Sequence, residues 1–199
     1  PFLSEKAISP QATAALEAKY GLDKPLFQQY LTYITDALHG DFGDSLKQRG
    51  RTVMDIIKMK FPVSARVGGV SVLVSLILGV PLGCIAALKR GKFADSLISV
   101  VATCGIAVPS FVICTLLLYF FGVKLQVLPT MGLTTAKHYV MPVMALAFYP
   151  TAYIMRLMRS SMLDVLGQDY MRTAKAKGLA GGKILFKHAL RNAILPVIT

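Results

Sequence analysis

The sequence predicts an all-α fold, a polytopic transmembrane helical bundle, and two observations carry this prediction. Three long uncharged stretches, of 22, 28 and 17 residues, are Val67–Leu88, Ser96–Val123 and Tyr139–Met155. A helix rises about 1.5 Å per residue, so these lengths suit a hydrocarbon core about 30 Å thick. Hydrophobic residues also make up 54% of the 199, which agrees with a membrane protein.

The net charge of +12 is unevenly distributed along the chain. Eight Lys or Arg residues lie in Arg156–Arg191 and three lie in Lys89–Lys92, and each group adjoins an apolar stretch. This pattern is typical of cytoplasmic loops near anionic headgroups, so we expect membrane lipid and no nucleic acid as a partner.

Residues that commonly carry catalysis or bind metals are scattered. Three cysteines inside apolar stretches lack metal-ligand spacing, and three histidines fall on both sides of the membrane in the topology below. We therefore predict no catalytic residue, no metal site and no disulfide. These six residues are Cys84, Cys104, Cys114, His39, His138 and His188.

Residues 1–63 read as a polar, extracytoplasmic helical segment. Ser9-Pro10 and Gly21 favour a helix over Pro10–Tyr20, and a second helix is predicted for Pro25–His39. Thr52 is a candidate N-cap for a third, short amphipathic helix on the membrane surface. We favour a solvated connector over a substrate-binding role. The second helix has an apolar face made of Phe27, Tyr30, Leu31, Ile34, Ala37 and Leu38.

The transmembrane domain is predicted to occupy residues 64–199, with its first span at about 66–88. Small residues recur there every four positions, which places them in one stripe where a neighbouring helix can approach closely. Pro81 is expected to bend this helix. The stripe consists of Ser71, Ser75, Gly79, Gly83 and Ala87.

The second span, at about 96–123, is long enough to require tilt or a kink, and Pro109 with Gly105 is expected to supply one. The third, at about 139–158, has Pro142 and Pro150 as bend sites. The basic turn 89–92 and the basic segment 159–191 are assigned to the cytoplasm, which leaves residues 1–63 outside. A further span begins at 192–199, and we expect the sequence to be truncated at both ends.

Residues 159–191 carry the most information about function. Asp169 can cap a helix over Tyr170–Lys177 that Gly178 ends in the left-handed conformation, and a second helix follows at Lys183–Arg191. The second helix presents one less polar side, consisting of Ile184, Leu185, His188 and Ala189. Two interpretations stay open on these grounds: a knob that docks into a groove on a soluble partner, and a basic loop that rests on anionic lipid.

Several separated motifs resemble one family. Tyr170–Leu179 (YMRTAKAKGL) and Lys187–Pro196 (KHALRNAILP) are similar to the cytoplasmic docking loop of bacterial ABC-importer permeases of the dipeptide, oligopeptide and nickel branch. Gly21–Leu26 (GLDKPL), Gln29-Tyr30 and Gly40–Ser45 (GDFGDS) resemble that family's external segment. Arg172-Thr173-Ala174 stands where the wider superfamily has Glu-Ala-Ala, so no role of that Glu transfers.

The resemblance implies the type I ABC importer permease fold, in the bacterial cytoplasmic membrane as a multi-pass protein. It implies that the coupling loop docks an ATP-binding subunit, which pushes it and switches access between the two sides. The implied partners are a second homologous permease, two ATP-binding subunits that hold ATP and Mg, and an extracytoplasmic substrate-binding protein. The coupling residues it implies are Arg172, Thr173, Ala174, Lys175, Ala176, Lys177 and Gly178.

This chain is expected to be a transporter subunit and not an enzyme. Gly181-Gly182-Lys183 is followed by Ile184 and does not form a phosphate-binding loop, so ATP hydrolysis is assigned to partner chains. The resemblance favours di- or oligopeptides as cargo, and nickel complexes and glutathione are alternatives. Polar and aromatic residues of the bent spans are candidates for the translocation path, although hydrogen bonds between helices explain most of them. They are Thr103, Ser110, Tyr119, Tyr149, Thr151 and Tyr153.

Two rival functions belong to other classes. A secondary transporter driven by an ion gradient would use intramembrane carboxylates, and the three predicted spans contain no Asp or Glu. A membrane anchor that recruits a soluble protein through the basic segment would move no substrate. Uptake that depends on an ATPase distinguishes the importer from both.

Overall fold

The structure, a computed structural model, describes residues 21–45, 47–48 and 50–199. Within those ranges it is helical, with an isolated antiparallel bridge between Asp44 and Thr52. The chain divides into two compact units, Pro1–Ser64 and Ala65–Thr199. The helix predicted at Pro10–Tyr20 lies outside the described residues.

The regular elements are numbered along the chain. α1 and α2 are Leu26–Leu38 and Val53–Leu88. α3, α4 and a π-helix, π1, are Phe93–Ala107, Ser110–Leu117 and Leu118–Lys124. α5 and α6 are Ala136–Leu166 and Asp169–Ala176. The remaining short elements are α7 (Gly181–Lys183), π2 (Ile184–Leu190), α8 (Arg191–Ala193) and α9 (Leu195–Ile198).

In the first unit, α1 confirms the helix predicted at Pro25–His39. Pro25 is its N-cap, His39 its C-cap, and Gly40 follows with φ 85°. The predicted apolar face is solvent-exposed in this chain, with Phe27 71% accessible. Thr52 does cap the next helix, because its hydroxyl accepts a bond from the Asp55 N–H at 3.1 Å and donates one to the Asp55 carboxylate at 2.7 Å.

α2 is one continuous helix of 36 residues, so the separate short amphipathic helix predicted after Thr52 is wrong. The segment between Met59 and Arg66 contains no Gly or Asn that could end a helix in the left-handed conformation. Pro62 removes a single backbone donor and does not interrupt the helix. The helix is likewise continuous through Pro81.

The second apolar stretch is broken, with an angle of 102° between its two halves. The predicted kink at Pro109 is therefore a break, and α3 begins at Phe93, before the predicted 96. Val108 and Pro109 are both extended, with ψ 123° and 140°. The conformation of Val108 follows from its position, because a residue before proline avoids the helical region. Gly105 takes no part in the break: it is buried, and an added Cβ would lie 2.6 Å from the Ala152 Cβ.

α5 runs from Ala136 to Leu166, eight residues beyond its predicted end at 158. The loop predicted to begin at 159 therefore begins at Gly167. Pro142 and Pro150 both lie inside this continuous helix. By length and composition α2 and α5 can each cross a membrane, and the broken α3–α4 stretch makes a third if it is one span.

The predicted stripe of α2 packs directly against α5. All five of its residues are buried, and the Ser71 and Ser75 hydroxyls lie 3.4 and 3.2 Å from the carbonyl oxygens of Val143 and Ala147. At Gly83 an added Cβ would lie 2.7 Å from the Met155 carbonyl oxygen. Each contact pairs positions 72 residues apart, so α2 and α5 run parallel with their backbones close together.

Candidate functional site

The candidate coupling helix, α6, ends as the sequence predicts. Gly178 has φ 70°, and its N–H donates to the Lys175 carbonyl at 2.9 Å. The Leu179 N–H reaches back to the Ala174 carbonyl at 3.4 Å, which completes a Schellman motif. The predicted N-cap is displaced by one residue: Gln168 occupies it, and Asp169 lies in the first turn without capping.

α6 has two distinct faces. Met171 and Ala174 are its buried residues, three positions apart on one side of the helix. Five of the seven predicted docking residues are exposed side chains on the rest of its surface. They are Arg172, Thr173, Lys175, Ala176 and Lys177.

The Met171 side chain is fully buried in an apolar socket at the ends of α2 and α5 that are predicted to face the cytoplasm. α2 contributes Ala87 to this socket, and α5 contributes Met158 and Met162. Ala174 belongs to the same cluster. The candidate coupling helix thus shares one apolar cluster with both spanning helices through one face, while its cationic face is exposed, with Arg172 Nη1 3.6 Å from the carboxylate of Asp169. The C-terminal side of the socket consists of Ile184, Ala189 and Ala193.

The segment after Gly178 is less regular than predicted. The helix expected over Lys183–Arg191 divides into α7, π2 and α8. In a π-helix residues five apart repeat along one side, which explains why Ile184 and Ala189 are both buried. The Ser161 hydroxyl donates to the Ala193 carbonyl at 2.7 Å, and the Asn192 amide donates to the Tyr170 hydroxyl at 2.9 Å. These bonds attach α8 to α5 and α6.

An ion pair that sequence reasoning missed connects α3 to α5. Arg159 Nε and Nη2 lie 2.6 and 2.8 Å from the two carboxylate oxygens of Asp95. The same carboxylate accepts the Gly91 N–H at 3.0 Å and the Ser99 hydroxyl at 3.4 Å. The partners are 64 positions apart, and the one sequence signal was a lone acid directly after a basic turn.

Comparison with known proteins places this arrangement in a family. Residues 79–199 match the family described as "Binding-protein-dependent transport system inner membrane component". The chain belongs to this family. The predicted resemblance is therefore confirmed, and the matched residues include α6, its socket and the Asp95–Arg159 pair.

Relatives of this inner membrane component match along its whole length. It is 46% identical over 199 residues to the dipeptide transport system permease protein of Bacillus subtilis. It is 42% identical over 201 residues to the oligopeptide transport system permease protein of Salmonella typhimurium, and 37% identical to the dipeptide permease of Lactococcus lactis. The chain spans 65–66% of the length of these relatives.

Two of the six residues predicted to line the translocation path lie in one groove. Ser110 and Tyr149 line a largely apolar groove of about 500 Å³ where the α3–α4 break faces Pro150 of α5. The Thr103 and Thr151 hydroxyls instead donate to their own helices, to the Ser99 and Ala147 carbonyls at 2.9 and 2.6 Å. Tyr119 and Tyr153 are exposed and outside the groove.

Proposed function

We propose that this chain is part of a permease subunit of an ATP-driven importer that moves di- or oligopeptides across the bacterial cytoplasmic membrane. One observation carries the proposal most directly: α6 presents a cationic surface while its buried face is anchored to two spanning helices. A helix in that position can receive a push from a soluble partner and pass it to the membrane domain.

The proposed mechanism is a rigid-body switch. Two ATP-binding subunits, which hold ATP and Mg, close on one another and displace α6. Close-packed interiors transmit strain, so the socket around Met171 passes this displacement to the ends of α2 and α5. A second homologous permease completes the pathway, and an extracytoplasmic substrate-binding protein delivers the cargo. The helices then move between outward-open and inward-open arrangements.

The names of the relatives support peptides as the cargo, since they are dipeptide and oligopeptide permeases. The groove at the α3–α4 break is the proposed part of the path in this chain, with Ser110 and Tyr149 as its polar lining. The same scaffold carrying nickel complexes or glutathione is the alternative. A competition assay that compares ordinary dipeptides, glutathione and nickel complexes as inhibitors of uptake would separate the three.

A substitution on the exposed face of α6 tests the docking role without disturbing the socket. We expect Ala176→Trp, at an exposed position, to reduce co-purification of the ATP-binding subunits and ATP-dependent peptide uptake together, because the indole occupies the contact surface. Ala136→Trp is the matched control, since Ala136 is exposed at the opposite end of α5. If both measurements equal those of the wild-type transporter, α6 is not the docking surface.

The same assay separates the rival functions. Wild-type proteoliposomes that accumulate peptide without ATP-binding subunits, in response to an ion gradient, would establish a secondary transporter. If the complete wild-type complex shows no ATP-dependent peptide flux, the membrane anchor is the function that the result supports.

A further inference from the structure

The Asp95 carboxylate joins three structural elements at the inner ends of the spans. It accepts two bonds from Arg159 of α5 and one from the Gly91 N–H of the turn that follows α2, while itself lying in the first turn of α3. Its side chain is 7% accessible. Asp95 is also the single acidic residue between Asp55 and Asp164 in the sequence. One carboxylate therefore fixes the relative positions of α3, α5 and the connecting turn.

The geometry of this pair is directional. The planar guanidinium of Arg159 meets both carboxylate oxygens in a two-pronged arrangement, which resists both sliding and rotation of one helix against the other. The other contacts between α3 and α5 are apolar, through Ala102, Ala152 and Met155. Dispersion contacts are individually weak and not directional, so the ion pair adds a resistance to sliding that the apolar packing alone does not supply.

The pair is also adjacent to the socket that holds α6. Arg159 follows Met158 in α5, and Met162 comes one turn later; both methionines belong to the buried cluster that contains Met171. On the other side, α3 ends at the break at Val108-Pro109, where the groove with Ser110 lies. The ion pair is therefore placed between the element that receives a push and the helix that ends at the groove.

We propose that Asp95 and Arg159 are positioning residues that make α3 move together with α5 when α6 is displaced, so that a cycle of ATP hydrolysis changes the groove at the α3–α4 break. This role rests on the proposed function, because it requires that α6 receive a push from an ATP-binding subunit. Neither residue needs to touch the cargo. Both act through the helices they hold.

The experiment compares peptide uptake with ATP hydrolysis in proteoliposomes that contain the complete transporter. In Asp95→Asn the carboxylate is lost, and in Arg159→Lys the charge is kept while the two-pronged geometry is lost. We expect both variants to assemble and hydrolyse ATP, with uptake per ATP reduced by about fivefold or more. Ser99→Ala is the control, because it removes the longest bond to Asp95 and leaves the ion pair intact. The exchanged pair Asp95→Arg with Arg159→Asp is expected to recover part of the lost coupling.

The outcomes separate this inference from the proposed function. If the wild-type transporter itself shows no ATP-dependent uptake, the proposed function fails. If the wild type transports but Asp95→Asn and Arg159→Lys lose uptake and ATPase activity in equal proportion, or lose neither, the positioning role is wrong. If neither variant assembles, the pair is a requirement for folding and the positioning role is overturned. If only Asp95→Asn fails to assemble, the uptake per ATP hydrolysed by Arg159→Lys decides whether the positioning role holds.

Discussion

The close contact between α2 and α5 at Gly83 permits a quantitative prediction. In Gly83→Ala the new Cβ would lie 2.7 Å from the Met155 carbonyl oxygen and from the Met158 Cβ, about 0.7 Å closer than the 3.4 Å at which ordinary contact begins. Overpacking of this kind costs about 1–3 kcal/mol. Replacing a helical glycine by alanine gains about 0.5–1 kcal/mol in backbone entropy. The two effects oppose each other, so a control is needed to isolate the clash.

Gly69→Ala provides that control within the same helix. Gly69 is exposed, and an added Cβ would meet nothing within 4 Å, so only the gain of about 0.5–1 kcal/mol applies. We expect the free energy of unfolding of Gly83→Ala to lie about 1–3 kcal/mol below that of Gly69→Ala. Titration with a denaturing detergent in mixed micelles measures both. Equal stability of the two variants would show that α2 and α5 are not in close contact at Gly83.

Two further predictions concern α6, the candidate coupling helix. Met171→Ala removes a fully buried side chain and leaves a cavity in the socket, which lowers the free energy of unfolding by about 2–5 kcal/mol. We expect faster hydrogen exchange of residues 169–176, while the amides at the centre of α2 remain protected. Unchanged exchange would show that the socket does not hold α6. Gly178→Ala places a side chain on a left-handed backbone, with φ 70°, and lowers the free energy of unfolding by about 1–2 kcal/mol. Gly181 lies outside the left-handed region, so Gly181→Ala lowers it by less. Thermal unfolding of the two glycine variants makes the comparison, and a smaller effect at Gly178 would contradict the predicted Schellman end.

Local sequence signals were sufficient to predict the existence of most helices. The spacing of small residues identified the α2 stripe because a four-residue repeat returns to the same side of a helix. Proline and glycine marked the ends of α1 and α6 because each restricts or frees backbone conformation independently of tertiary contacts. The break at Pro109 was placed correctly for the same reason, but its angle of 102° depends on how the two halves pack, and proline alone does not fix it.

Tertiary packing decided the features that local signals missed. α5 continues to Leu166 because its last turns are held by contacts with distant residues: Arg159 pairs with Asp95, and Met162 is buried in the socket. The division of the helix predicted over Lys183–Arg191 into α7, π2 and α8 follows no repeat visible in the sequence. Gly105 looked like a hinge and instead is where α3 approaches Ala152 of α5.

The sequence by itself predicted a helical membrane protein that resembles the binding-protein-dependent transport permeases, and which residues form the candidate coupling helix and the packing stripe. Composition, period and local capping are sufficient for the helices and the stripe, because each is set by neighbours within a few residues, whereas the family was indicated by the resemblance of several separated motifs. The structure alone decided that Met171 enters a socket shared by α2 and α5 and that Asp95 meets Arg159. Those contacts join residues far apart in the chain, and their existence depends on the parallel packing of whole helices, which no short stretch of sequence encodes.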